Sequence, residues 1–111
     1  MAVVLGNRRR TAPATGWRLT ALHPIVWSRR AQRDLVGIRD YVSQFAPLAA
    51  QRLAARLASA AESLSDHPLR GRSIGRGRRA LVAIPPYQIR YRILGEVVEI
   101  ITIRHGAREP E

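Results

Sequence analysis

The chain has 111 residues, with nineteen Arg against eight Asp and Glu for a formal net charge of +11, and contains neither Lys nor Cys. That length allows one compact domain with a modest core. The missing cysteines exclude disulfides, Cys-ligated metals and thiol nucleophiles and suit a reducing compartment, while no apolar run is long enough for a membrane-spanning helix. The Arg excess attracts polyanions and acidic proteins alike.

Residues 1–23 mix Gly, Pro, Thr and Arg without periodicity and predict a flexible basic tail, with Arg8, Arg9 and Arg10 as a solvated triplet. Residues 1–33 carry arginines and no acid, which faintly suggests an organellar presequence, but the helical pattern already begins at the end of that stretch. The folded domain is expected over residues 24–108, followed by a short tail at 109–111. Ile25 to Ser28 reads as a short strand, with Trp27 as a core anchor and Ser28 placed to cap a helix.

Ala31, Leu35, Ile38, Val42 and Phe45 recur at spacings of three and four, which predicts a helix over residues 29–45 with one apolar stripe. Gly37 interrupts it mildly. Pro47 suits the first turn of a second helix, predicted over residues 47–65 with Ala50, Leu53, Leu57, Ala60 and Leu64 as its stripe. The short break between them implies an antiparallel helical hairpin. A DNA-reading helix-turn-helix fits poorly, because the second helix has few base-reading side chains near its start.

Residues 70–79 hold five Arg and three Gly, predicting a mobile, charged loop, and no Gly-Lys-Ser/Thr follows that would make it a P-loop. Residues 80–84, 87–94 and 97–104 then read as strands, the last two joined by a tight turn at Gly95-Glu96. With Leu94 facing Val97, the register pairs Ile93 with Val98, Tyr91 with Ile100 and Ile89 with Thr102 on one apolar face. It pairs Arg92 with Glu99, Arg90 with Ile101 and Gln88 with Ile103 on the other. The expected architecture is α+β, in the order β-α-α-β-β-β: a helical hairpin on one face of a small, mostly antiparallel sheet whose other face is partly open.

The candidate chemistry lies on that open face and at its ends. Arg76, Arg78, Arg79, Arg90, Arg104 and Arg108 are expected to surround one positively charged concavity suited to phosphates or carboxylates, although clustering by chance is natural in so Arg-rich a chain. His105 stands either as an acid or base or as a structural cap to the sheet. Cleavage of RNA through its ribose hydroxyl needs a base, a proton donor and charge on the phosphate. The strands offer only His105, Tyr87 and Tyr91 for the first two, and both tyrosines are expected to face the core. His23 and His67 do not space with His105 as a metal set. Asp34 and Asp40 read as surface carboxylates, and no cofactor motif is present.

The pieces "VWSRRAQRDLVGIRDYV", "HPLRGRSIGRGRRAL", "PYQIRYRI" and "VEIITIRHGAR", in this order over residues 26–108, resemble the RelE/ParE superfamily of bacterial type II toxin–antitoxin, or plasmid stabilisation, systems. The resemblance implies a cytoplasmic toxin with two helices on a small sheet. Its stable partner would be a cognate antitoxin whose C-terminal segment lies across Arg90 and Ile101 and reaches the helical hairpin, in a heterotetramer or larger assembly. RelE-type members cut mRNA on the ribosome; ParE-type members poison DNA gyrase. A RelE-like activity would draw on Arg78, Arg90, His105 and Arg108. A ParE-like one would use Arg76, Arg79, Arg90, Ile101, Arg104 and Arg108 for target or antitoxin binding, with no catalytic residue, cofactor or metal. No tyrosine follows Tyr91, and the closing "IRHGAR" resembles the ParE type better. A small basic nucleic-acid-binding module is the alternative outside the family.

Overall fold

The structure, a computed structural model, describes residues 22–106 and the backbone of residues 3–5. Val3–Leu5 forms β1 and Ile25–Trp27 forms β2; the helices are α1, Arg29–Ser43, and α2, Pro47–Glu62, which tightens into a 3-10 turn at Ser63–Ser65. Four strands follow: β3 Arg72–Gly75, β4 Arg78–Ile84, β5 Tyr87–Leu94 and β6 Val97–His105. They make one six-stranded sheet in the order β1-β2-β6-β5-β4-β3, antiparallel throughout except where β2 runs parallel to β6. This is the expected α+β arrangement with a strand added at each edge. Both additions fall where irregular chain was predicted. The apolar Val3–Leu5 lies within the anticipated tail and pairs with β2, and Arg72–Gly75 lies within the anticipated Arg/Gly loop and pairs with β4.

The caps behave as the residue types dictate. The Ser28 hydroxyl accepts from the Ala31 amide at 3.0 Å, closing the first turn of α1. The helix stops at Ser43, two residues short of the predicted end, because the Phe45 and Ala46 amides both turn back to the Val42 carbonyl and Pro47 restarts the chain at the first turn of α2. Phe45 therefore leaves the stripe and is 70% exposed, whereas Ala31 is buried and Leu35 and Ile38 pack on the core. From α2 and its 3-10 extension, Leu57, Ala61 and Leu64 are fully enclosed. They meet Ile25, Trp27, Ile89, Tyr91, Val98, Ile100 and Ile103 of the sheet.

The β5–β6 register follows expectation from the turn as far as Tyr91↔Ile100 and then slips by one residue. Arg90 faces Thr102 rather than Ile101, Ile89 faces Ile103 rather than Thr102, and Gln88 faces Arg104 rather than Ile103. Ile101 is the extra residue of a β-bulge. The cause lies on the opposite edge of β6. Strand β2 ends at Trp27, which faces Ile100, so β6 loses its neighbour at that point. Ser28 takes over: its amide donates to the Ile100 carbonyl at 2.9 Å and its hydroxyl to the Ile101 carbonyl at 2.7 Å. Asp34 of α1 completes the edge, its Oδ2 accepting from the Ile103 amide at 3.0 Å and from the Thr102 hydroxyl. The slip also places Ile103 in the core.

Tyr91 anchors the far side of the sheet. Its fully buried phenol donates to the Pro68 carbonyl at 2.6 Å and accepts from the Gly71 amide at 2.8 Å. A Cβ at residue 71 would lie 2.8 Å from the Tyr91 hydroxyl and 2.9 Å from the Ala80 carbonyl, so only glycine fits there. Burial pushes the phenol above its usual range, against a smaller opposite pull from the Gly71 hydrogen bond and the charges of Arg79 and Arg70. A raised folded value means that stability is intact below the unfolded tyrosine range, about pH 10, and falls above it. Tyr91→Phe is expected to cost about 1–3 kcal/mol in urea unfolding, by leaving the Gly71 amide and the Pro68 carbonyl unpaired. It should also flatten the decline of stability above pH 10; an unchanged alkaline slope would show that this phenol is not its source.

Candidate functional site

The arginines expected to share one concavity do not converge. Arg78 sits opposite Arg92 near the turn end of β5, and Arg92 donates to Glu99 at 2.7 Å. Arg79 is tied down: one guanidinium nitrogen donates to the Gly71 carbonyl at 2.6 Å and reaches the Leu69 carbonyl at 3.4 Å, buttressing the same loop as Tyr91. Arg90 is only 8% exposed, and its Nε donates to Gln88 at 3.2 Å. Arg104, half-buried, lies opposite Gln88, and His105 opposite Tyr87, at the other end of β5. Arg92 lies five positions beyond Tyr87, roughly 17 Å of strand. Half-buried Ile101 is engaged through its carbonyl by Ser28. Arg76 is exposed at the turn between β3 and β4. Arg108, Arg8, Arg9, Arg10 and the 109–111 tail lie outside the described residues.

A groove of about 380 Å³ does form between α1 and the end of the β5–β6 pair, lined by Arg33, Asp34, Gly37, Ile38, Tyr41, Tyr87, Ile103 and His105. Gly37 lines it, and it lies past the stretch of β6 that pairs with β2. Tyr87 and His105 meet edge to face, ring centres 5.4 Å apart at 81°. The enclosed Nδ1 of His105 has no hydrogen-bond partner among the described residues. Tyr87 thus packs partly on the core, as expected, and partly lines the groove. Asp34 is half-buried there rather than an idle surface carboxylate. Its position three residues after Ala31 and four before Ile38 places it on the flank of the buried stripe, a signal present in the sequence.

Beyond the groove, the turn between α1 and α2 carries an apolar patch. Tyr41 and Phe45 meet edge to face at 5.5 Å, and they and Leu48 are 55%, 70% and 65% exposed. Tyr41 and Phe45 thus form an exposed aromatic pair at the end of α1, and Leu48 is exposed at the start of α2. Among the described residues no helix is long and apolar enough to cross a membrane.

Helical hairpin, short parallel β2–β6 pair and antiparallel extension make a small α+β domain with two helices on one sheet. The family model described as "ParE toxin of type II toxin-antitoxin system, parDE" matches residues 25–110, and the chain belongs to this family. It is 54% identical over 84 residues to Toxin RelE2 of Caulobacter vibrioides, covering 76% of this chain and 96% of that one. It is 38% identical over 89 residues to Toxin RelE1 of the same organism, covering 77% and 95%. A solved structure titled "Chromosomal ParDE TA system from P. aeruginosa" superposes with a TM-score of 0.65 at 24% identity, over 71% of this chain and 90% of the other, and so shares the fold. The protein is a type II toxin of the RelE/ParE superfamily, a class that implies an antitoxin partner.

Asp34 tests the account of the groove. Asp34→Ala strands the Ile103 amide and the Thr102 hydroxyl and should cost about 2–3 kcal/mol in chemical denaturation. Asp34→Asn, which keeps an acceptor, should recover part of that loss. Hydrogen exchange should show the Ile103 amide losing protection first in the alanine variant, and equal protection in both variants would contradict the clamp.

Proposed function

We propose that this toxin is ParE-like: it arrests DNA gyrase by binding, performs no bond chemistry, and is held inactive by its cognate antitoxin. The observation that carries this reading is the separation of Arg78 from His105 along the sheet. A ribonuclease must bring its acid or base and its phosphate-stabilising cations to one scissile bond. Here the candidate base stands at one end of β5 and Arg78 at the other, while Arg79 and Arg90 are engaged by groups of the protein itself. Loss of Arg76 or Arg104 should then weaken binding to the target, with no defect in a chemical step to measure.

The antitoxin reading changes in one respect. Arg90 is too buried to be a landing site without rearrangement, so the partner segment is better accommodated by Tyr41, Phe45 and Leu48 and the adjoining groove. An acidic segment with apolar anchors suits both that patch and Arg33 at the groove edge. Phe45→Glu with Leu48→Glu is expected to weaken antitoxin capture by about tenfold or more, leaving the fold intact because both side chains are already exposed.

A RelE-like mRNA endonuclease is the second reading, and one observation favours it: His105, Tyr87 and Arg33 line a single groove. The two readings part in one paired assay on antitoxin-free toxin. Blocked supercoiling by gyrase with intact mRNA on programmed ribosomes is the expected result. Codon-positioned cleavage with unimpaired gyrase, abolished by His105→Ala, would replace the gyrase reading with the endonuclease.

A further inference from the structure

Gly37 stands exposed in the interior of α1, where glycine makes a helix less stable than alanine would. Two demands ordinarily justify a glycine, and neither is present. Its backbone is helical and is not among the positive-φ positions. A Cβ placed on it would meet no described atom within 4 Å beyond its chain neighbours and its own helix backbone, whereas one on Gly71 would strike Tyr91 at 2.8 Å. The close approach that this glycine permits is therefore not made within the described part of the chain.

The surroundings of Gly37 are shaped for an approach from outside. On one side lies the groove with Asp34, Tyr41 and His105, and on the other a shallow hollow of about 510 Å³ lined by Arg29, Gln32, Arg33 and Val36. Gly37 and Arg33 border both, so the missing side chain opens a saddle from one to the other across α1. Val36 is 44% exposed at one flank, and Tyr41 is exposed at the other. Arg29 and Arg33 have no ion pair with a described residue, while Arg30 lies 4.0 Å from Asp34 and Arg39 lies 3.3 Å from Asp40.

We propose that the antitoxin's main chain crosses α1 at Gly37, with apolar side chains against Val36 and Tyr41 and carboxylates against Arg29 and Arg33. This contact rests on the antitoxin reading and deepens it by naming the residue that sets how closely the two backbones approach. Two observations select this occupant. Tyr41 is one helical turn from Gly37 and pairs with Phe45, so the saddle continues the patch of Tyr41, Phe45 and Leu48. A second copy of this chain would bring another charge of +11 to the unpaired Arg29 and Arg33, and like charges set against each other cost affinity. A side chain at residue 37 would lift the partner off the helix and loosen the contacts on both flanks, because well-packed contacts tolerate added atoms poorly.

Calorimetric titration of antitoxin-free toxin with its cognate antitoxin tests the contact, alongside thermal melting of each variant alone. Gly37→Ala should melt higher than the wild-type chain, since alanine favours the helix, yet bind the antitoxin about tenfold more weakly. Gly37→Leu should weaken binding by about a hundredfold. Stability and affinity then move in opposite directions, which a merely structural glycine would not produce. Arg29→Ala/Arg33→Ala should lower affinity and lessen its salt dependence. Unchanged affinity in both Gly37 variants, with affinity lost in Phe45→Glu/Leu48→Glu, would overturn the Gly37 contact and leave the antitoxin reading standing. A wild-type toxin that does not bind the antitoxin would overturn both. If Gly37→Leu instead dissociates a self-associated free toxin, or relieves gyrase arrest with antitoxin capture intact, the saddle belongs to a second copy or to the target, and the proposal falls.

Discussion

Strand β2 is too short for the strand it pairs with, and much of the structure follows from that mismatch. Only Ile25 to Trp27 lie beside β6, covering Val98 to Ile100. Past that point the backbone of β6 would expose unpaired donors and acceptors beside the core, which is costly away from water. Ser28 and Asp34 repair the edge from α1. In doing so they fix where the helix lies, accompany the bulge at Ile101, and leave between helix and strand the groove where Tyr87 and His105 meet. One hydroxyl serves as helix cap and strand partner at once.

The same contacts explain what could be read in advance. Periodicity located both helices and three of the strands because each has a dry face and a wet one, as Leu57 and Leu64 or Ile89 and Tyr91 show. Strand β3 has no dry face, so Arg72 to Gly75 carries no alternation and reads as loop. The slip past Tyr91 was illegible for another reason. Turn chemistry sets register from the turn outward, whereas the bulge arises with hydrogen bonds from Ser28, 73 residues away along the chain. The anticipated single basic concavity failed similarly: counting arginines cannot tell that Arg79 braces a loop or that Arg90 is enclosed. Val3–Leu5 was hidden by its setting, three apolar residues in an otherwise aperiodic stretch.

The arrangement divides labour across the surface. Apolar side chains gather at the helical turn, exposed guanidinium groups along the β3 edge of the sheet, and groups capable of proton transfer in the groove. Arg92 with Glu99 and Arg30 near Asp34 show the opposite use of charge, local pairing within the fold. Such exposed pairs contribute little to stability; their effect is to leave those arginines less available to outside anions.

The position of β6 in the sheet has a consequence for biosynthesis. It is the last described strand in chain order, yet it joins the β2 side of the sheet to the β5 side. Until it emerges from the ribosome, β2 has only the three-residue β1 to pair with, and the β2 and β5 sides of the sheet cannot be joined. Pairing elements so distant in sequence is slow compared with forming local hairpins. A nascent chain truncated before Val97 would hold a helical hairpin and an incomplete sheet, so the toxin cannot assemble its surfaces piecemeal during translation. Closure of the sheet therefore waits on the last made of its described strands.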